Sequence, residues 1–330
     1  MIYNNIKKIL LITIFLHINN SMPHNLNIDK VVIWGYKLYS HTSSYVHYGF
    51  YKAFKELGFN VLWFDDSDIT HNINFENSLF LTLGPDENIP LVKNSVYVLH
   101  NCFREKYANL KDSLVVNIQT LTQDCFKHNV KSLADWAFYR GNTLYLPWAT
   151  DLLPDEIDEI MLDISLNWDK RKKDKDITFV GTIDGFFIVE PFLMGFVKES
   201  KNLGFSLKLI NGWSQTLSVD DHIKIIRDSS IVPAIQGQWQ CEKGYLPCRI
   251  FKNISYGKWG ITNNYYAYKF FNEKITYDSD PKKLLVKAYD KIKTLKLEEQ
   301  LDLMKFVRDN HTYFNRIEIL FKFIDIVNSQ

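Results

Sequence analysis

The sequence predicts an α/β protein, and three observations carry that expectation. Val31-Val32-Ile33-Trp34, closed by Gly35, reads as a buried parallel strand, and a helical stripe of Val46, Phe50, Ala53 and Phe54 leads to a second apolar run, Val61-Leu62-Trp63-Phe64. Strand, helix and strand in that order form a βαβ unit. The same alternation restarts at Ile177-Thr178-Phe179-Val180-Gly181-Thr182, and 330 residues exceed what one hydrophobic core usually organises, so two domains are expected.

Residues 1–28 differ in kind from the rest. Lys7-Lys8 precede the mainly apolar run Ile9–Ile18, and polar Asn19-Asn20-Ser21 follows. The run is shorter than the roughly 20 residues a membrane span needs, while its basic-then-apolar order is that of a signal sequence. A hydrophobic leader or signal-like segment is expected here, which leaves a cytoplasmic and a membrane-associated location both open.

The first domain is expected over 29–146. Its helix Tyr45–Leu57 stops at Gly58, and further strands are predicted at Leu79–Thr82, Val96–Leu99 and Leu114–Ile118. In open parallel sheets ligands bind beyond the carboxyl ends of strands, and His41, Asp65, Asp66, His100 and Asn101 all follow such ends. No Gly-x-Gly-x-x-Gly follows the first strand, and neither a Walker loop nor a Gly-x-Ser-x-Gly elbow occurs, which argues against dinucleotide, P-loop and α/β-hydrolase chemistry. Asp66-Ser67-Asp68 has the carboxylate spacing that suits a hard divalent cation.

The second domain, 147–330, opens with an amphipathic helix and the charged run Asp169–Asp176, a solvated linker. After Gly181 the pattern gives a helix over Val189–Lys201, a strand at Ser206–Ile210, a helix at Asp220–Arg227, a strand at Ser230–Ile235 and an irregular loop, Gln236–Pro247. Ile250, Phe251 and Ile254 then share one helical face, with Pro247 just ahead of the helix and Gly257 placed to stop it in a left-handed turn. Arg249 falls in the first helical turn, where unpaired N–H groups and the dipole favour an anion and a planar guanidinium can grip two phosphate oxygens. A short strand, Ile261-Thr262, leads to Asn263-Asn264. A long helical region, Pro281–Asp309, precedes a last helix whose stripe of Tyr313, Ile317, Leu320 and Ile324 reads as core, packed back on the first domain.

Composition excludes several classes. Lys+Arg 39 against Asp+Glu 38 gives no basic field for nucleic acid, and 46% hydrophobic with 15% aromatic residues excludes disorder. Four cysteines, Cys102, Cys125, Cys241 and Cys248, are too irregularly spaced for a zinc site or a disulfide framework and read as free thiols.

The segment from Arg249 to Gly257 resembles the donor-binding segment of GT-B glycosyltransferases, in particular the spore-maturation (CgeB-like) group. There an arginine, an aromatic residue and a carboxylate precede a turn ending in glycine. Arg249, Phe251 and Gly257 stand in register, and Lys252 stands where that group has glutamate. Leu146-Pro147-Trp148-Ala149-Thr150-Asp151 resembles the group's L-P-x-A-x-D crossover, Phe179-Val180-Gly181-Thr182 its donor-domain opening, and His311-Thr312-Tyr313 with Arg316 its H-T-Y-x-x-R ending. The resemblance covers roughly residues 144 to 327 by motif and the first domain only by pattern.

This resemblance implies two Rossmann-like domains facing across a cleft, the acceptor on the first and a nucleotide-diphosphate sugar on the second. Arg249 would stabilise the diphosphate charge that develops on the leaving group. Gly181 and Thr182 would bring backbone to the donor, and Lys252, Asn263 and Asn264 would contact it. Glu242 would supply the ribose carboxylate missing at Lys252. His41 is the expected general base if the enzyme inverts. No metal and no cofactor besides the donor is expected, and the acceptor would be a glycan, a protein or a small molecule. Two other readings stay open: a metal-dependent GT-A-like transferase using Asp66 and Asp68, and a non-catalytic sugar- or protein-binding relic of the GT-B fold.

Overall fold

The computed structural model describes residues 28–37, 43–83, 88–100, 105–120, 129–171, 174–183, 190–211 and 217–330. The first sheet is built on β1 (Lys30–Trp34), β2 (Val61–Phe64), β3 (Ser78–Leu83), β4 (Val96–His100) and β5 (Leu114–Gln119), which run parallel in the order β2-β1-β3-β4-β5. Side chains alternate across a strand. Val31, Ile33, Leu79, Leu81, Val96 and Val98 therefore enter one core, and Val32, Trp34, Phe80, Tyr97 and Leu99 enter another. Burial on both faces is what makes these strands continuous apolar runs. Helix α1 (Ser44–Glu56) covers the first face with Val46, Phe50, Ala53 and Phe54.

The sheet continues where no strand was predicted. β8 (Thr143–Tyr145) pairs parallel to β5, and β7 (Ala137–Arg140) and β6 (Lys131–Ala134) follow antiparallel. These strands are three or four residues long and lack a β-branched run, so they carry little period-two signal. The turn at Gly141, with φ +52°, joins β7 to β8.

In the second half, β9 (Asp176–Gly181) pairs parallel with β10 (Ser206–Asn211), and β11 (Ile261–Thr262) pairs parallel with β12 (Thr276–Tyr277). The predicted strand 230–235 survives as single bridges from Ile231 to Ile177 and from Ala234 to Thr262. Pro233 has no N–H and cannot extend a ladder through this position. The stretch still links the two pairs into one parallel array, β10-β9-(230–235)-β11-β12. Counted within its own half, that is the strand order of β2-β1-β3-β4-β5.

Helices α2 (Pro154–Asn167), α3 (Glu190–Asn202), α4 (Val219–Asp228), α5 (Gln238–Glu242), α6 (Cys248–Ser255), α7 (Tyr265–Phe270), α8 (Pro281–Thr294), α9 (Leu297–Asn310) and α10 (Tyr313–Asn328) complete the described elements. The loop predicted as irregular contains α5. The single helical region predicted over Pro281–Asp309 is two helices, broken where Leu295 (ψ 129°) and Lys296 (ψ 152°) turn extended. The molecule is thus an α/β protein with a large, mostly parallel sheet, consistent with a Rossmann-like architecture.

Apolar side chains from 152–307 gather in one core, while α10 joins the core on the α1 face of the first sheet. Tyr313, Ile317, Leu320 and Ile324 all lie in the core of the first half, and Phe321 stacks on Phe59 at 5.8 Å. The approach of α1 to α10 requires glycine at Gly49, where a Cβ would meet the Tyr313 ring at 2.2 Å. Arg316, fully buried, braces the junction. It donates to Pro147 O and Trp148 O at 2.8 Å each and to Asn310 O at 3.1 Å, and its guanidinium lies over the Trp136 ring at 4.1 Å. Among the described residues no helix is long and apolar enough to cross a membrane. The predicted leader, apart from Ile28, lies outside the described residues.

Candidate functional site

Strand order reverses in the second array between β9 and the 230–235 stretch, and ligands of open α/β sheets bind beyond the carboxyl ends at such a point. Arg249 lies there. Helix α6 begins after extended Pro247 and turns Ile250, Phe251 and Ile254 into the core. It ends at Gly257, whose φ of 92° and N–H bond to Ile254 O at 2.9 Å close the helix as predicted. The chain therefore presents Arg249, the second residue of the helix, at the end of the array.

The Arg249 guanidinium donates to Ile235 O at 2.8 Å and lies over the Phe179 ring at 4.6 Å. A Cβ on Gly181 would sit 1.9 Å from its Nη2, so glycine there is what lets the side chain reach the end of β9. Burial pulls the Arg249 pKa below its usual range, and no carboxylate among the described residues pairs with it. A partly buried guanidinium whose partners among the described residues are an uncharged carbonyl and a ring is an electrostatic opening for an anion. Thr182, next along the chain, is partly exposed at the same edge.

Lys252, expected on the donor, is committed elsewhere. The side chain is 3% exposed, and its ammonium lies 3.0 Å from Asp151 Oδ2, 3.2 Å from His222 Nδ1 and 4.0 Å from the centre of the Tyr45 ring. The Tyr256 hydroxyl donates to Asp151 Oδ1 at 2.6 Å. Burial opposes ionisation of Asp151, but Lys252, the Tyr256 hydroxyl and His222 outweigh it and hold the carboxyl below the usual range. Burial, reinforced by the Lys252 charge, keeps His222 neutral, which leaves Nδ1 able to accept. Burial and the adjacent Asp151 push the Tyr256 pKa well up. No short-range pattern announces this network, because its members come from four separate places in the chain.

The two asparagines are also committed locally. Asn263 Oδ1 accepts from Gln236 N and its Nδ2 donates to Gln236 O, both at 2.8 Å. Asn264 caps α7 by accepting from Tyr266 N and Ala267 N, and it donates to Gln236 Oε1 and Tyr245 O at 2.9 Å each. The Asn264 side chain is thus engaged on both its oxygen and its nitrogen within the turn. Glu242 ends α5, exposed, and accepts from Gln238 Nε2 at 2.7 Å.

On the first half, His41 and Asn101 lie outside the described residues. His100 ends β4 with its ring edge-on to Trp148 at 5.1 Å, and burial pulls its pKa down to about 4. The aspartates after β2 tie their own turn. Asp66 Oδ1 accepts from Trp34 Nε1 at 2.7 Å, Asp65 Oδ2 from Lys37 N at 3.1 Å, and Asp68 takes Lys37 Nζ at 2.5 Å and Asp65 N at 2.6 Å. The Lys37 hydrogen bond holds Asp68 below the usual carboxylate range. Among the described residues no group of three or more His, Cys, Asp and Glu is placed to hold a metal ion.

No family model and no curated protein matches the chain.

Proposed function

We propose that the chain is a GT-B-type glycosyltransferase, with Rossmann-like domains over 29–146 and 147–330 facing across a cleft. It moves a sugar from a nucleotide-diphosphate donor to a glycan, protein or small-molecule acceptor. The observation that supports this reading best is Arg249: a guanidinium without a carboxylate partner among the described residues, at the start of a helix and at the switch point of a parallel array. There it would neutralise the diphosphate as the glycosidic bond breaks, which is electrostatic stabilisation of the transition state. In an inverting reaction His41 is the proposed base on the acceptor side.

Titration of UDP and GDP by calorimetry tests the reading. A charge-assisted hydrogen bond is worth about 1.5–3 kcal/mol, so Arg249→Ala should weaken nucleotide binding roughly 10- to 100-fold without lowering the melting temperature much. Arg249→Lys should recover only part, because a point charge cannot replace a two-pronged contact. Equal affinities in all three proteins would remove Arg249 from the site.

Gly181→Ala supplies an independent check. The new methyl meets the far end of a flexible side chain, so it should displace the guanidinium rather than unfold the protein. Its binding defect should therefore match that of Arg249→Ala, and a Gly181→Ala protein that binds like wild type would contradict this placement. Since the proposed phosphate ligands are Arg249 and helix N–H groups, binding should also survive EDTA and Asp66→Ala. Loss under both would favour the metal-dependent alternative.

A further inference from the structure

We infer that Lys252 is the tether that holds α1 of the first half against α6 of the second, and so acts as a positioning residue rather than a donor contact. The inference stands on geometry and does not depend on the glycosyltransferase reading. Tyr45 belongs to α1, whose neighbouring side chains Val46 and Phe50 are in the core of the first half. Lys252 belongs to α6, whose Ile250, Phe251 and Ile254 are in the core of the second. The ammonium lies 4.0 Å from the centre of the Tyr45 ring and, on its other sides, meets Asp151 Oδ2 at 3.0 Å and His222 Nδ1 at 3.2 Å. Its three N–H groups therefore face a carboxylate of the crossover, an imidazole of α4 and an aromatic face of α1.

Two further contacts follow the same seam. The Tyr45 hydroxyl donates to Leu217 O at 2.8 Å, and Lys52 Nζ of α1 reaches Glu156 of α2 at 2.6 Å. The Lys52 pair is half-open to solvent and weak by the usual standard of such pairs. The Lys252 site is closed, with Lys252 and Asp151 each 3% exposed, so its cation–π contact is desolvated and of the stronger kind. A buried ion pair is a poor source of stability against an apolar alternative, and fixing one arrangement is its best-attested use. Here the arrangement fixed is that of Arg249, one helical turn before Lys252, relative to the first half.

The seam carries its own reporter. Cys248 of α6 packs against the core of the first half, whereas Cys241 sits in the second half with its thiol directed at Asn263 O. Iodoacetamide labelling of the native full-length chain, read at each cysteine by peptide mass, measures how often the seam opens. Tyr45→Leu should raise the Cys248 rate roughly tenfold, equivalent to about 1.4 kcal/mol, and leave Cys241 unchanged. Tyr45→Phe keeps the aromatic face and should stay within about threefold of wild type.

The charge-free double variant Asp151→Asn/Lys252→Met should match Tyr45→Leu, and adding Tyr45→Leu to it should raise the rate no further. An unchanged Cys248 rate in Tyr45→Leu overturns the inference. So does an equal rise at both cysteines, which would mean general loosening. Tyr45→Phe behaving like Tyr45→Leu overturns it as well, because the tie would then be the hydroxyl bond to Leu217.

Discussion

Arg316→Ala is expected to lower the free energy of unfolding by about 3–5 kcal/mol, measured by urea denaturation. The side chain is fully buried and, among the described residues, meets no carboxylate; its partners there are three backbone carbonyls, the His311 ring and the faces of Trp136 and Phe251. Truncation strips donors from Pro147 O, Trp148 O and Asn310 O, and each orphaned buried acceptor costs about 1–3 kcal/mol. It also leaves a void that the stacked rings cannot fill. Burial pulls the Arg316 pKa down to about 9, still above neutral pH, so the group enters as a cation shared among oxygen dipoles. Arg316→Lys should recover less than half of the loss, because one ammonium cannot span acceptors on both sides of the junction. A loss below about 1 kcal/mol in Arg316→Ala would show that these bonds are replaced by water.

Lys252→Met should cost about 3–5 kcal/mol at neutral pH, because it leaves the Asp151 carboxylate buried without its cation. The pH dependence distinguishes this from a packing defect. In the wild type the folded Asp151 pKa lies below its unfolded value. Its contribution is therefore present above the ordinary carboxylate range and lost as pH falls toward the folded value. Lys252→Met removes the cation while burial remains, and leaves only the Tyr256 hydroxyl and His222 to oppose it, so the folded pKa of that carboxyl rises. The deficit should then be largest at high pH and shrink as pH falls through the raised value toward about 4, where the group becomes neutral in both states. Asp151→Asn/Lys252→Met should recover most of the loss. A deficit that does not change with pH would mean that the methionine simply packs badly.

Much of the fold was legible in the sequence because buried parallel strands are written as apolar runs. Val61–Phe64 was read to the residue, and β1, β3, β4, β5, β9 and β10 to within one residue at each end. The helix ending at Gly257 was legible for a different reason: a left-handed residue there leaves a glycine in the text. What escaped was short or interrupted, as with the three small strands after β5, the Pro233 break and the Leu295-Lys296 break.

The site was legible only in part. Arg249 and Gly181 could be named separately, but that one occupies the space the other leaves free needs coordinates. The partners of Lys252 were not legible, because Tyr45, Asp151 and His222 lie between 30 and 207 residues away in the chain. Asn263 and Asn264 could be named from their chemistry, but that both also serve a strand-to-helix turn shows only in the coordinates.

The return of α10 to the first half has a consequence for biosynthesis. Tyr313, Ile317, Leu320, Phe321 and Ile324 are part of the core around β1, β3 and β4, so that core cannot close until α10 has left the ribosome. The strands of the first half are thus made well before the helix that completes their core. The core of residues 152–307, which contains no residue of β1–β5 or of α10, is free to form ahead of it. Contacts closed over nearly the whole chain are slow to form, and through that interval the apolar strands of the first half stay open to neighbouring chains. Translation that stops before Tyr313 would release a folded second half joined to a first half unable to complete its core.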